Sequence, residues 1–155
     1  MSKVYFDFDG VLARYYWGKD YETKIESLPP EPMVGVAKML VELGCDVAVC
    51  SAVADAFEEK VKREWLAKNL PEVKSLFFPK KGTNKSQFLK NHEDDILIDD
   101  FSKNLHEWNG VGIKYLNGIN NTHGSWLRTG GLYVSHVMTP RFIAAGIARL
   151  TSSND

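Results

Sequence analysis

Short, almost wholly apolar runs recur along this 155-residue chain, and segments of helical spacing separate most of them. The runs occupy residues 4–8, 46–51, 75–78, 95–98 and 111–116, with a sixth at 132–137. A strand exposed on one face would alternate apolar with polar residues, so strands this uniformly apolar must be covered on both faces. Between them, residues 32–43 have apolar side chains at helical spacing and stop at Gly44. Asp55 can cap a helix running to about residue 69, with Phe57, Val61, Trp65 and Leu66 on one face, and Pro71 beyond it. Shorter helices are expected over 84–90 and 101–108, and a last one from Pro140. The stretch 117–131 is rich in Gly and Asn and reads as loop. Strands alternating with helices give an α/β fold: a three-layer α/β/α, Rossmann-like parallel sheet.

The expected organisation is one domain over residues 1–155, interrupted by a short flap or cap insertion around 13–30, which ends in Pro29 and Pro30. Composition narrows the setting. The net charge of −1 gives no overall field favouring nucleic acid or an anionic membrane, although a local basic patch stays open. No apolar run approaches the length of a membrane span. The opening MSKVYFDFDG has acids where a signal peptide needs an apolar centre, so a cytoplasmic location is expected. Cys45 and Cys50 lie in an apolar stretch without ligand spacing and read as reduced core residues. His92, His106, His123 and His136 have no ligand spacing either, and Trp65 and Trp108 read as packing residues.

The polar residues at strand ends are more informative. In an open parallel sheet, ligands bind beyond the carboxyl ends of the strands. The first run ends in Asp7 and Asp9, the second in Ser51, the fourth in Asp99 and Asp100, and Lys85 opens the helix before the fourth. Clustered carboxylates remain ionised together only beside a cation. Oxygen donors without clustered His or Cys suit Mg²⁺. A lysine and a hydroxyl suit a phosphoryl group. The residues alone therefore describe a phosphate-and-magnesium site. If the first strand continued regularly, Asp7 and Asp9 would point the same way and reach one phosphorus.

The ordered set DFDGV, Ser51, Lys85 and IDD, over roughly residues 4–104, resembles the haloacid dehalogenase superfamily of phosphatases. The resemblance implies an HAD-like fold with a minimal cap and a hydrolase that forms an aspartyl-phosphate. It implies Asp7 as nucleophile and Asp9 as general acid and base. It places Ser51, Ala52, Gly10 and Lys85 at the phosphoryl group, and Asp7, Asp9, Asp99 and Asp100 around Mg²⁺. An acid at position 9, where family pumps carry Thr, implies hydrolysis. Asn104 stands where some members carry a further acid, and it supplies no charge.

The insertion is too short for a large cap, which implies an open site. Such a site admits a nucleic-acid end or a phosphoprotein. Closed by the flap, or by a partner subunit in a homo-oligomer, it would take a small phosphorylated substrate. Arg14, Tyr15, Tyr16 and Trp17 lie where a flap would contact it. The stretches ILIDD and LPPEPMVGVAKML look most like the 5'(3')-deoxyribonucleotidase branch, implying nucleotides as substrate. The expectation is thus a nucleotide phosphatase, with nucleic-acid ends or other metabolites as the alternative. A phospho-acceptor module would also use acids, Ser and Lys around Mg²⁺. It would place its acceptor after the third strand, where this chain reads FFPKK.

Overall fold

A computed structural model of the protein describes residues 2–15, 24–119 and 124–152. Its centre is a six-stranded, all-parallel sheet: β1 (Lys3–Phe6), β2 (Asp46–Cys50), β3 (Ser75–Phe77), β4 (Ile96–Asp99), β5 (Val111–Leu116) and β6 (Leu132–Ser135). The spatial order is β3-β2-β1-β4-β5-β6. From β1 the chain builds outward through β2 and β3, then crosses back to place β4 on the other side of β1. The strand order therefore reverses between β1 and β4, where a parallel sheet opens a crevice at its carboxyl edge.

The helices are α1 (Met33–Glu42), α2 (Ala56–Asn69), α3 (Lys85–Leu89), α4 (Ser102–Glu107), α5 (Ser125–Arg128) and α6 (Pro140–Ser152). Strand alternation sorts the core into two layers. Val4, Phe6, Val47, Val49, Ile96 and Ile98 face one side, where they pack with Met33 and Leu40 of α1, Trp65 and Leu66 of α2, and Ile143 and Ile147 of α6. Tyr5, Ala48, Cys50 and Leu97 face the other, with Leu105 of α4, Trp108 and the partly buried Leu89 and Trp126. Each fully buried aliphatic or aromatic side chain contributes about 1.5–3 kcal/mol of transfer free energy. These two contiguous layers therefore hold the sheet between helices, as the uniformly apolar strands require. The three-layer α/β/α architecture expected from the sequence is the one observed. Both cysteines are free thiols, Cys50 buried and Cys45 half-buried. Among the described residues no helix is long and apolar enough to cross a membrane.

Three expectations are corrected. Phe57 does not share the inner face of α2 but is 73% exposed, while Lys62 is buried among Val61, Trp65 and Leu66. At the start of α2 the inward position goes to Glu58, whose carboxylate lies 3.5 Å from the Lys62 ammonium. That pair turns the buried face away from Phe57. The stretch 117–131 is not all loop, because it contains α5. Its single turn is held by tertiary bonds: the Trp126 backbone N–H donates to Ser102 Oγ (3.4 Å), and the Trp126 indole donates to the Leu132 carbonyl (2.9 Å). Local composition could not show that support. The last strand also stops at Ser135, two residues before the expected end, where Met138 N–H closes a turn onto the Ser135 carbonyl.

Candidate active site

Asp7, Asp9, Lys85, Asp99 and Asp100, all chosen from the sequence, meet at the β1/β4 crevice. Immediately after β1, the Asp7 backbone N–H donates to the Ile98 carbonyl (3.0 Å), which sets Asp7 beside the end of β4. The chain then turns: the Phe8 carbonyl accepts from the N–H groups of Val11, Leu12 and Ala13. Gly10 makes that turn with φ of +79°, and a Cβ there would collide with the Asp100 carboxylate. A glycine is therefore required twice, for its left-handed backbone and for the close approach of Asp100.

The strand ends at Phe6 and does not continue regularly through Asp9, so strand alternation does not by itself set the two carboxylates side by side. Both still line one cleft of about 310 Å³, together with Tyr15, Ile25, Ala52, Glu58, Lys81, Lys85, Asp100, Phe101 and Asn104. A second concavity, of about 350 Å³ beside β6 and α6, is lined by apolar residues with Arg149 and has no carboxylate in its wall. The carboxylates and lysines converge on the first.

Asp7, Asp99 and Asp100 are buried, and each brings a carboxylate oxygen within 4.8 Å of the other two. Burial, and then Asp99, push the Asp7 carboxyl up to about 7 despite Lys85 beside it. Burial also drives Asp100 well above the usual carboxylate range, with Asp99, Asp7 and Asp9 adding to the effect. Three hard oxygen donors whose ionised forms repel one another fit a small divalent cation such as Mg²⁺. The Asp9 carboxylate lies outside this trio.

Lys85 is the resident counter-charge. Its ammonium donates to Asp7 Oδ1 (3.0 Å) and Asp99 Oδ2 (2.8 Å). Burial opposes its charge, yet the two carboxylates outweigh that and raise its pKa. Asp99 is further held by the Asn104 amide (3.0 Å) and the Phe101 N–H (3.0 Å). Asn104, which carries no charge, thus orients an acid. Asn117 donates to the Gly10 carbonyl (2.8 Å) and to Asp100 Oδ2 (3.4 Å), tying the turn after β1 to the end of β4. The buried Lys114 of β5 donates to Ser102 Oγ (3.0 Å) at the foot of α4.

Ser51, fully buried just past β2, meets Lys62 rather than the open cleft: the Lys62 ammonium donates to Ser51 Oγ (2.9 Å) and to Asp9 Oδ2 (2.9 Å). Ala52 lines the cleft. Of the flap residues, Tyr15 lines it and Arg14 is exposed and not among the lining residues, while Tyr16 and Trp17 lie outside the described residues. Sequence reading missed Lys62, Asn117 and Lys114. Only Lys62 left a trace, being a charged residue in phase with Val61, Trp65 and Leu66. Lys81 stands at the rim, 62% exposed and 3.8 Å from Glu58.

The raised Asp7 pKa predicts how cation-free stability depends on pH. The folded form holds its proton up to about pH 7, against 3.8 ordinarily. This contribution to stability is complete below the ordinary pKa and is lost as pH rises through 7. A bound divalent cation removes the penalty. Magnesium is therefore expected to raise the thermal midpoint much more at pH 8 than at pH 5. Equal rises at both would place the cation away from Asp7. Asp100→Asn is expected to raise the Mg²⁺ concentration for half-maximal effect about tenfold or more, with binding read by calorimetry. An unchanged requirement would remove Asp100 as a ligand.

No protein-family model matches the sequence, and a comparison with curated proteins gives no match. Solved structures do share its fold. A D,D-heptose 1.7-bisphosphate phosphatase from B. bronchiseptica, complexed with magnesium and phosphate, is similar over 96% of this chain and 99% of its own, with 11% identity and a TM-score of 0.69. A chain of the Pnkp1/Rnl/Hen1 complex is similar over 70% of this chain, with 22% identity and a TM-score of 0.56. A chain of the Pnkp1/Rnl/Hen1 RNA repair complex matches over 69%, with 23% identity and a TM-score of 0.54. This chain covers 42% and 39% of those two chains, about two fifths of their length.

Proposed function

We propose that the protein is a Mg²⁺-dependent phosphomonoesterase of the haloacid dehalogenase superfamily, acting through an aspartyl-phosphate on Asp7. The observation that carries this reading is the cleft itself. Asp7 sits there bonded to Lys85, which also bonds Asp99, with Asp100 close by and a second carboxylate, Asp9, in the same wall. The fold shared with a phosphatase that holds magnesium and phosphate supports it.

In the first step an Asp7 carboxylate oxygen forms a bond to phosphorus, and the bond to the substrate's ester oxygen breaks. Protonated Asp9 gives its proton to that departing oxygen. In the second step water attacks the phosphorus of the aspartyl-phosphate, Asp9 takes the water's proton, and the Asp7 carboxylate is released with inorganic phosphate. Mg²⁺ held by Asp7, Asp99 and Asp100 would supply electrostatic stabilisation of the phosphoryl oxygens. Lys85 adds a fixed positive charge beside Asp7. The backbone at Ala52 binds the phosphoryl group from the β2 side, with Ser51 buried behind it and held by Lys62. Asp9 would complete the Mg²⁺ set from the same cleft wall through an oxygen other than the Oδ2 that accepts from Lys62.

The substrate is a nucleotide unit. Tyr15, Ile25 and Phe101 give the cleft wall apolar and aromatic surface that can receive a base or sugar, and Lys81 adds a cation at the rim. A phosphorylated nucleic-acid end is the second reading, supported by the fold shared with a chain of an RNA repair complex. Phosphate release from mononucleotides and from 3'- or 5'-phosphorylated oligonucleotides, with and without Mg²⁺, tests both. An oligonucleotide bound through several phosphates should lose affinity steeply with salt, whereas a mononucleotide should not. Release from neither class, with Mg²⁺ bound, would overturn the substrate assignment.

A further inference from the structure

Lys62 belongs to no motif and does not line the cleft, yet it is fully buried and reaches three groups of the site. Its ammonium donates to Asp9 Oδ2 (2.9 Å), Ser51 Oγ (2.9 Å) and the Ala52 carbonyl (3.1 Å), while Glu58 Oε1 lies 3.5 Å away. The Phe8 ring centroid is 5.1 Å from the same nitrogen. Asp9, Ser51 and Ala52 come from two different strand ends, 42 positions apart from Asp9 to Ser51. We propose that Lys62 is a positioning residue for phosphoryl transfer: one buried ammonium holds the Asp9 carboxylate and the Ser51 hydroxyl in fixed orientation across the cleft. The proposal rests on the phosphomonoesterase reading above.

Lysine chemistry gives the clamp its direction. An ammonium has three protons and no lone pair, so every contact it makes is a donation. Its three hydrogen bonds use all three. Ser51 Oγ must therefore accept from Lys62, which fixes the direction in which its own proton can point. Asp9 offers Oδ2 to Lys62, which leaves Oδ1 to exchange a proton with the leaving oxygen or with water. The bond to the Ala52 carbonyl anchors the backbone just past β2. Lys62 itself stays behind Asp9, Ala52 and Glu58, all of which line the cleft, so it acts through them.

A purely structural role explains the residue poorly. Burying an ammonium carries a large desolvation penalty, and an apolar residue of similar volume often serves the fold as well. The neighbours on this face of α2 are Val61, Trp65 and Leu66, and the long side chain of methionine would pack among them.

Steady-state kinetics of Lys62→Met test the proposal. The expected kcat falls about tenfold to a hundredfold, part of what general acid–base catalysis supplies. KM should change by less than about threefold, because Lys85, the acidic trio and the cleft lining remain. Adding Ser51→Ala to Lys62→Met should lower kcat by much less than Ser51→Ala does alone, since both act on one hydroxyl. A folded Lys62→Met with kcat within about twofold of the parent, or a loss confined to KM, overturns the proposal. If Lys62→Met does not fold, Lys62→Arg takes its place, keeping the charge while displacing the donors. A folded Lys62→Arg with parental kcat overturns the proposal, and a depressed kcat at an unchanged thermal midpoint supports it. Failure of both variants to fold makes Lys62 a folding residue and also overturns it. An unmodified protein without turnover on any phosphomonoester is instead the failure of the functional reading, seen before any variant is compared.

Discussion

Asp7→Asn is expected to abolish phosphate release while making the cation-free protein more stable at pH 8. The two effects have one origin. The folded chain buries the Asp7 carboxyl beside Asp99, and this holds its pKa up at about 7 even with Lys85 bonded to it. At pH 8 the cation-free protein must therefore ionise a group that its surroundings disfavour. Asparagine has nearly the same shape and no charge, so the penalty disappears and the thermal midpoint should rise. Catalysis moves the other way. A neutral amide oxygen is a poor nucleophile, and no aspartyl-phosphate can form. Losses of a nucleophile reach on the order of 10⁴-fold or more in kcat. Rapid-quench labelling should trap phosphate on the parent protein and none on the variant. Retained turnover in a folded Asp7→Asn would remove Asp7 as nucleophile, and a lower midpoint would show that Lys85 needs Asp7 more than Asp7 needs neutrality.

Lys85→Met should be the most destabilising single change in the site. Lys85 is 6% exposed and donates to both Asp7 and Asp99, the latter completely buried. Removing one partner of a buried ion pair costs about 3–5 kcal/mol, because the remaining charges lie uncompensated in low dielectric. For a chain of this size, that is a fall of roughly 10 °C in the thermal midpoint. The fall should be greatest without divalent cation and at high pH. Magnesium should restore part of it by supplying another positive charge to the same carboxylates. Turnover should drop on the order of 10²-fold or more even with Mg²⁺ saturating, since the fixed charge beside the phosphoryl group is lost. A cation-free Lys85→Met as stable as the parent would show that the acids at this crevice are protonated rather than paired. Calorimetric unfolding at pH 5 and pH 8 separates the two.

Much of the fold was legible along the chain. β5 has the bounds expected of it, 111–116, and the other strands differ by one or two residues at one end or both. The reason is physical. A strand buried on both faces is apolar at nearly every position, the hydrogen-bonded Lys114 of β5 being an exception, and that pattern marks such strands between helices. The helix stops are equally local: Gly44 adopts φ of +82° just beyond α1, and the Asp55 side chain accepts from the Glu58 N–H at the start of α2. The convergence of Asp7, Ser51, Lys85, Asp99 and Asp100 at one sheet edge also followed from sequence, because parallel topology carries every strand's carboxyl end to the same side. Phe57 was misplaced for an instructive reason. Periodicity defines a stripe on a helix, but which edge of that stripe is buried depends on what lies opposite.

The sequence by itself determined the strands, the three layers and the edge at which the acids gather, since these depend on hydrophobic period, backbone freedom and chain order. Only the tertiary structure decided which charge meets which. Lys85 spans Asp7 and Asp99, Lys62 spans Asp9 and Ser51, and Asn117 joins Gly10 to Asp100, from positions 107 residues apart for Asn117 and Gly10. A buried ion pair depends on distances of a few ångströms in a medium of low dielectric. Those distances are set by the packing of α2 and α3 against the sheet and by the place of β5 within it, and no local pattern of residues encodes them.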